Sequence, residues 1–437
     1  MTSFLRVLFK RGPALSPGKI SINKASIAVT TVGLSMAAYY STVAVRPSQV
    51  PEAQDFKPLA HHVKDRHGKT VRFQNPYPSF KPPNLRELAL TMMSKYLGLL
   101  KWPEPKLEEK IVSVVKPEFL PTRTASSKLR ATWLGHACYY VEFPSGLRVL
   151  FDPVFEDCCA PYRFLGFMRY TEKPCDIADL PFVDAVVISH SHYDHLSYES
   201  VQEVQKHHPN AHFFVGLGLE KWFKEGGLKN VTEMDWRQEA EFTLTPQAAK
   251  ASRSEVQSAS SAESSEPITA TISCLPCQHA SGRSPWDQNQ TLWASWAVSS
   301  GSPAKSVWFG GDTGYRSVPK VAKGVDDHGA EFQHLPVSPV FRQIGQRFGR
   351  FDLGLIPIGA YAPRHMFSGV HADPFDSVDI FQDIKCEKAM AIHWGTWVMT
   401  PEEPLEPPVL LKQALKKKGL PETGVFDICD IGESREF

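Results

Sequence analysis

From about Arg130 onward the chain is built of short apolar runs separated by polar loops. Ten runs have strand length: 130–134, 139–143, 147–151, 184–189, 212–215, 269–274, 293–298, 306–309, 353–356 and 389–392. Helical spacing of apolar residues predicts helices over 197–206, 218–224 and 374–384, with another over 408–418 after the last strand. Strands followed by helices predict an α/β layered architecture. The run Ala185-Val-Val-Ile188 is continuously apolar, as expected of a strand buried on both faces.

The first third has a different texture. Residues 25–45 carry no charge and are bracketed by Lys24 and Arg46. As a helix this stretch rises about 31 Å, enough to cross a hydrocarbon core. Residues 1–24 are basic, hydroxylated and acid-free, which resembles a mitochondrial presequence more than a secretory signal. Residues 47–85 are rich in proline, including Asn75-Pro-Tyr-Pro-Ser-Phe-Lys-Pro-Pro83, and predict an extended arm. Residues 85–100 predict a helix with Leu88, Met92, Tyr96 and Leu99 on one face. The Ser/Ala/Glu-rich stretch 248–266 predicts a flexible insertion within a domain. The expected organisation is a targeting segment over 1–24, a candidate transmembrane helix over 25–45, an arm with a helical extension over 46–126, and a catalytic domain over 127–437.

Charge sharpens this division. The chain of 437 residues has a formal charge of +1. Residues 1–51 hold six basic residues and no acid, leaving 42 basic against 47 acidic residues, a net of −5, for the rest. No extended basic stripe dominates that larger part, so nucleic acid is not an expected partner. Eight cysteines are too few for a disulfide-built fold, and the lone Cys274-Leu-Pro-Cys277 lacks a second pair for a four-cysteine zinc site.

The candidate chemistry begins where the run 184–189 ends, in His190-Ser-His192-Tyr-Asp194-His195. Three imidazoles and a carboxylate within six positions suit zinc, iron or manganese. Loops at the carboxyl ends of strands are where α/β folds place such groups. His279, Asp312 and His393 each follow a further apolar run.

The HxHxDH spacing and these three later residues resemble the metallo-β-lactamase superfamily. Thr132-Trp-Leu-Gly-His136, Asp152-Pro153, Gln278-His279, Gly311-Asp-Thr-Gly-Tyr315, Ile356-Pro-Ile-Gly-Ala-Tyr361 and His371-Ala-Asp-Pro374 are similar, more narrowly, to the N-acyl-phosphatidylethanolamine-hydrolysing phospholipase D family. That likeness runs from about Asn75 to Arg435. It implies an αββα sandwich carrying two Zn²⁺. One ion would take His190, His192 and His279, the other Asp194, His195 and His393, with Asp312 between them. It further implies attack of a metal-bound hydroxide on phosphorus, releasing N-acylethanolamine and phosphatidic acid. Asp194, Asp312 and His371 are the catalytic candidates.

Around that set, His136 and Asp152 are candidates to support ligand imidazoles. Tyr193, Arg283, Arg364 and His371 are candidates for substrate contact. Trp293 and Trp296 are expected to pack the core. The resemblance implies a phospholipid substrate, a membrane surface and a homodimer. Apolar residues in 85–100 and 162–168 are candidates to dip into the interface. The expected location is mitochondrial, at the inner membrane, or else another intracellular membrane. Two alternatives stay open: a hydrolase of the same fold acting on another ester or phosphodiester, and an inactive membrane scaffold.

Overall fold

The computed structural model describes residues 39–47, 59–99, 101–160, 167–246, 266–322 and 324–437. The expected targeting segment, residues 25–38 of the candidate span and residues 248–265 of the insertion lie outside them.

Two sheets face each other. One has seven strands in the order Ser434–Glu436, Arg130–Gly135, Cys138–Glu142, Arg148–Phe151, Ala185–Val187, His212–Gly216 and Val231–Met234. The other has eight, in the order Tyr39–Pro47, Gln238–Pro246, Ile268–Leu275, Ser295–Gly301, Ala304–Phe309, Phe351–Pro357, Cys386–Ile392 and Phe426–Asp427.

Alternation along the strands builds the layers. Val149, Phe151, Ala185, Val187 and Phe214 enter the core shared with the larger sheet, where Phe151 meets Phe309 at 4.8 Å between ring centroids. Their neighbours Leu150, Val186, Ile188, Phe213 and Val215 face the other way. There they pack with Val201 and Val204 of helix Tyr198–His207 and Phe223 of helix Glu220–Glu225. On the far face of the larger sheet, helix Pro374–Ile384 lies on strands Phe351–Pro357 and Cys386–Ile392, flanked by helices Val340–Phe348 and Glu406–Lys417. Each fully buried Val, Leu, Ile or Phe contributes about 1.5–3 kcal/mol. Helix Pro374–Ile384 starts where it does because the Asp373 side chain accepts from the backbone N–H of Asp376 and Pro374 occupies the first turn. The result is an αββα sandwich, the architecture that the resemblance implies.

Three expectations need correction. The end of the candidate span, residues 39–45, is strand and not helix. Tyr39–Pro47 pairs antiparallel with Gln238–Pro246, Tyr39 opposite Pro246 and Pro47 opposite Gln238. Thr42, Val43 and Val45 are β-branched, so a pairing edge wins over a helix there. This strand also makes residues well before 127 part of the sandwich. The proline-rich stretch is extended strand and turn where described before residue 85, but it is not a free arm: His62–Lys64 and Thr70–Phe73 pair with each other, and His61 and His62 reach Asp235 at 2.8 and 2.9 Å. The helix over 85–100 ends at Tyr96, so Leu99 falls beyond it, 77% exposed. No helix among the described residues is long and apolar enough to cross a membrane.

Candidate metal centre

The polar residues singled out by the sequence converge at one end of the sandwich. His190–His195 form the loop after strand Ala185–Val187, held from behind by the core. The Trp296 indole donates to the carbonyl of Ile188 at 3.1 Å, and Trp293 donates to that of Cys277, two residues before His279, at 3.2 Å. Both tryptophans are fully buried, as expected. Gly311 permits the approach of the Asp312 loop, since a Cβ there would lie 2.5 Å from that of Ser189. His136, Asp152 and His393 adopt positive φ of 51°, 37° and 63°. Such conformations cost about 1–3 kcal/mol each and persist where surrounding structure holds them.

Two donor groups result. In the first, His190 Nε2 lies 2.7 Å from His192 Nδ1, and His279 Nε2 lies 3.2 Å from each. Asp312 Oδ2 is 3.8 Å from His190 Nε2 and 3.5 Å from His279 Nε2. In the second, Asp194 Oδ2 is 3.2 Å from His195 Nε2 and 3.4 Å from His393 Nε2. Asp312 closes this group too, through Oδ2 to His195 at 3.2 Å and Oδ1 to His393 at 3.0 Å. Asp312 thus stands between the two sets. A tetrahedral ion with bonds near 2.0–2.1 Å spaces its donors by roughly 3.3 Å, so both groups have the right dimensions.

Electrostatics points the same way. Burial first, then neighbouring imidazoles, push His190 and His279 well below the ordinary histidine range. They are neutral at pH 7, as ligands must be. For His393 burial pulls downward but Asp312 and Asp194 outweigh it, raising the group to about 9. His195 is raised well above its usual value by the same balance. Asp194 and Asp312 are held well below the carboxylate range, since the surrounding histidines overcome burial. This pocket of carboxylates therefore recruits positive charge. His195 Nε2, His393 Nε2 and Asp312 Oδ1 are buried and lie 3.0–3.4 Å from one another or from Asp194, yet none is aligned as a hydrogen bond among the described residues. Orphaned donors and acceptors aimed at one region fit divalent cations, and imidazole with carboxylate is a suitable donor set.

The support is equally specific. His195 Nδ1 lies 2.6 Å from Asp152, whose carboxylate also accepts from the Ser189 backbone and hydroxyl. His136 Nε2 lies 3.0 Å from Asp194 Oδ2. His190 Nδ1 lies 2.9 Å from Ser189 Oγ, and His279 Nδ1 lies 2.9 Å from the Val370 carbonyl. Ser189 and Val370 were not among the sequence candidates. A hydroxyl at the strand end just before the HxHxDH run is a usable signal for Ser189. Val370 acts through its backbone, so residue type carries none.

His371 sits beside both groups. Its Nδ1 is 3.9 Å from Asp312 Oδ2, and its ring centroid is 5.1 Å from His279 and 5.2 Å from His393. Burial lowers it to about 4. Of the seven donors His192 alone is partly exposed, so the centre opens beside it and His371.

Three substrate-contact expectations are corrected. Arg364 is surrounded by Asp327 at 3.2 Å, Asp376 at 2.8 Å and Asp373 at 3.4 Å, so its charge is already neutralised. Arg283 spends its guanidinium on the carbonyls of Ser191 at 3.0 Å and Leu196 at 2.6 Å. It also stacks 3.8 Å from the Tyr193 ring. The pair lines a cavity of about 200 Å³ that no metal donor lines, so both brace the histidine loop from outside.

A family model described as Beta-lactamase superfamily domain matches residues 147–394. The chain is 34% identical over 316 residues to N-acyl-phosphatidylethanolamine-hydrolyzing phospholipase D 1 of Caenorhabditis elegans, covering 71% of this chain and 76% of that protein. It is 31% identical over 278 residues to N-acyl-phosphatidylethanolamine-hydrolyzing phospholipase D, mitochondrial, of Saccharomyces cerevisiae, covering 63% of this chain and 49% of that protein. The match thus spans about half the length of the yeast relative. Among solved structures, isothiocyanate hydrolase from Delia radicum gut bacteria aligns with a TM-score of 0.45 at 15% identity, over 70% of this chain and 99% of that one.

Proposed function

The chain belongs to the N-acyl-phosphatidylethanolamine-hydrolysing phospholipase D family of the β-lactamase superfamily, and from that premise we propose that it is a membrane-associated, zinc-dependent phospholipase D. It would hydrolyse N-acyl-phosphatidylethanolamine to N-acylethanolamine and phosphatidic acid. The observation that carries this reading is the pair of donor groups that Asp312 reaches on both sides.

His190, His192 and His279 would hold one Zn²⁺, and Asp194, His195 and His393 the other. Bound there, the cations supply an acidified water at neutral pH and neutralise charge on the phosphoryl oxygens. The residues do the rest. Asp312 fixes the spacing of the two groups. Asp152, Ser189, Val370 and His136 lock the orientations of the ligands, so little reorganisation is needed during reaction. His371, neutral at pH 7 and beside the partly exposed His192, is placed to donate a hydrogen bond to the phosphodiester or its leaving oxygen.

Membrane contact is supported by exposed apolar residues on and just past helix Leu85–Tyr96: Leu90, Met93, Leu97 and Leu99, with Met168 nearby in sequence to Phe167. Met168 and Phe167 line a groove of about 740 Å³ with Lys95 and Trp102. Tyr170 and Val398 line that groove and also the wall behind His393. The groove therefore shares two lining residues with the cavity beside His393, and the exposed apolar residues suit a lipid surface. A homodimer and an inner mitochondrial membrane location belong to the same proposal. The yeast relative is described as mitochondrial.

The test uses purified full-length protein in detergent with synthetic N-acyl-phosphatidylethanolamine and mass spectrometry of the products. N-acylethanolamine and phosphatidic acid should appear in equal amounts with wild type and fall at least about 100-fold with Asp312→Asn. Zinc-loaded protein that releases neither product would overturn the lipid assignment.

A further inference from the structure

Three of the imidazole ligands have an identified partner for the nitrogen turned away from the centre: Asp152 for His195, Ser189 for His190 and Val370 for His279. His393 is different. Its Nδ1 is buried with no hydrogen-bond partner among the described residues.

His393 lines a cavity of about 30 Å³ together with His136, Trp394, Trp397, Ala360 and Glu402. A volume of that size accommodates about two water molecules. The indole N–H groups of Trp394 and Trp397 and the Nδ1 of His136 are also buried without a partner among the described residues. The wall is therefore polar and in need of hydrogen bonds, which is the condition under which buried water is retained.

Glu402 stands on this wall. Its carboxylate accepts from the backbone N–H of Ala360 at 2.5 Å and of Ala362 at 3.2 Å, and from the Thr400 hydroxyl. Its own backbone N–H adds a fourth donor, so the acceptor positions are filled and the carboxylate is fixed on this wall. The two backbone bonds hold Ala360 at a φ of 65°, in a turn pressed onto the ligand loop. The fit is close: a Cβ on Gly359 would lie 2.1 Å from the His393 carbonyl oxygen.

We propose that Glu402 is a positioning residue for His393. It clamps the Ala360 turn against the His393 backbone and so holds the ligand loop and the polar cavity behind the imidazole in shape. Burial raises the Glu402 carboxyl, an effect opposed by its four donors. The inference rests on His393 being a metal ligand.

The test is a zinc titration of the full-length chain in competition with a chromophoric chelator, without substrate. Wild type, Glu402→Gln and Glu402→Ala are compared, and melting of the chelated proteins is followed beside them. One of the two ions should bind about 10–100-fold more weakly in Glu402→Ala, and at least about threefold more weakly in Glu402→Gln, while the other is unchanged. If Glu402→Ala does not fold, Glu402→Gln decides. Wild-type affinity for both ions in a folded variant would overturn the inference, as would equal weakening of both. A lower melting temperature with unaltered zinc affinity would show a merely structural role and also overturn it. Wild-type protein that binds no zinc would instead sink the metal-centre assignment itself.

Discussion

The Nδ1 of His195 lies 2.6 Å from Oδ2 of Asp152, and both side chains are fully shielded from water. A carboxylate there fixes the ring so that its other nitrogen faces Asp194 and Asp312. Asp152→Asn keeps the shape and an acceptor oxygen but removes the charge. Metal affinity at the His195 group should fall about 10–100-fold. Competition with a chelator measures this, and an unchanged affinity would remove Asp152 from the account.

Arg364 supports the fold. Its guanidinium is enclosed by Asp327, Asp373 and Asp376, with Asp376 also held by Arg316 at 3.0 Å. Removing one partner of a buried ion network leaves uncompensated charge. Arg364→Gln should therefore cost about 3–5 kcal/mol in denaturant unfolding. A small stability loss with a large rise in KM would restore the phosphate role that its charge suggested.

His328 gives the same region a pH dependence. Burial lowers it, but the hydrogen bond it donates to Asp373 and the charge of Asp373, then of Asp376, outweigh this and raise it above 6.5. A histidine raised in the folded state contributes stability that is complete below its unfolded value and disappears as pH rises through the folded value. The stability gap between wild type and His328→Gln should be largest near pH 6 and shrink toward pH 9. Unfolding curves at fixed metal loading measure it. A gap that widens with pH would reverse the assignment.

Metal removal should lower stability as well as activity. Without cations Asp194 and Asp312 are buried among histidines that must share their charge. A ligand that binds the folded state alone stabilises by mass action, so the melting temperature should drop on chelation and recover on adding Zn²⁺. No change in melting temperature would mean that these donors hold no ion.

Much of the catalytic half was legible because one physical rule governed it. Buried strands read as apolar runs, and polar residues at their ends stood out against them. All ten runs contain strands, and all seven donors meet. Strand Gln238–Pro246 does not stand out in the sequence, although Ala240, Phe242 and Leu244 alternate with Glu239 and Glu241. That half-polar pattern lacks the continuous apolarity of the inner strands. Residues 39–45 read equally well as the end of a helix because an uncharged stretch satisfies both structures, and only the partner strand decides. Arg283 and Arg364 show a further limit. Residue type says that a guanidinium suits phosphate, but not whether backbone carbonyls or three aspartates already occupy it. Glu402 was invisible for the converse reason: its partners are backbone groups some forty residues away in sequence.

The central claim is that water attacks phosphorus at the shared Asp312 centre. The most direct measurement is hydrolysis of N-acyl-phosphatidylethanolamine in ¹⁸O-enriched water, with mass spectrometry of both products. One ¹⁸O should enter phosphatidic acid and none should enter N-acylethanolamine. Label in N-acylethanolamine, or no turnover by the metal-loaded protein, would contradict the account.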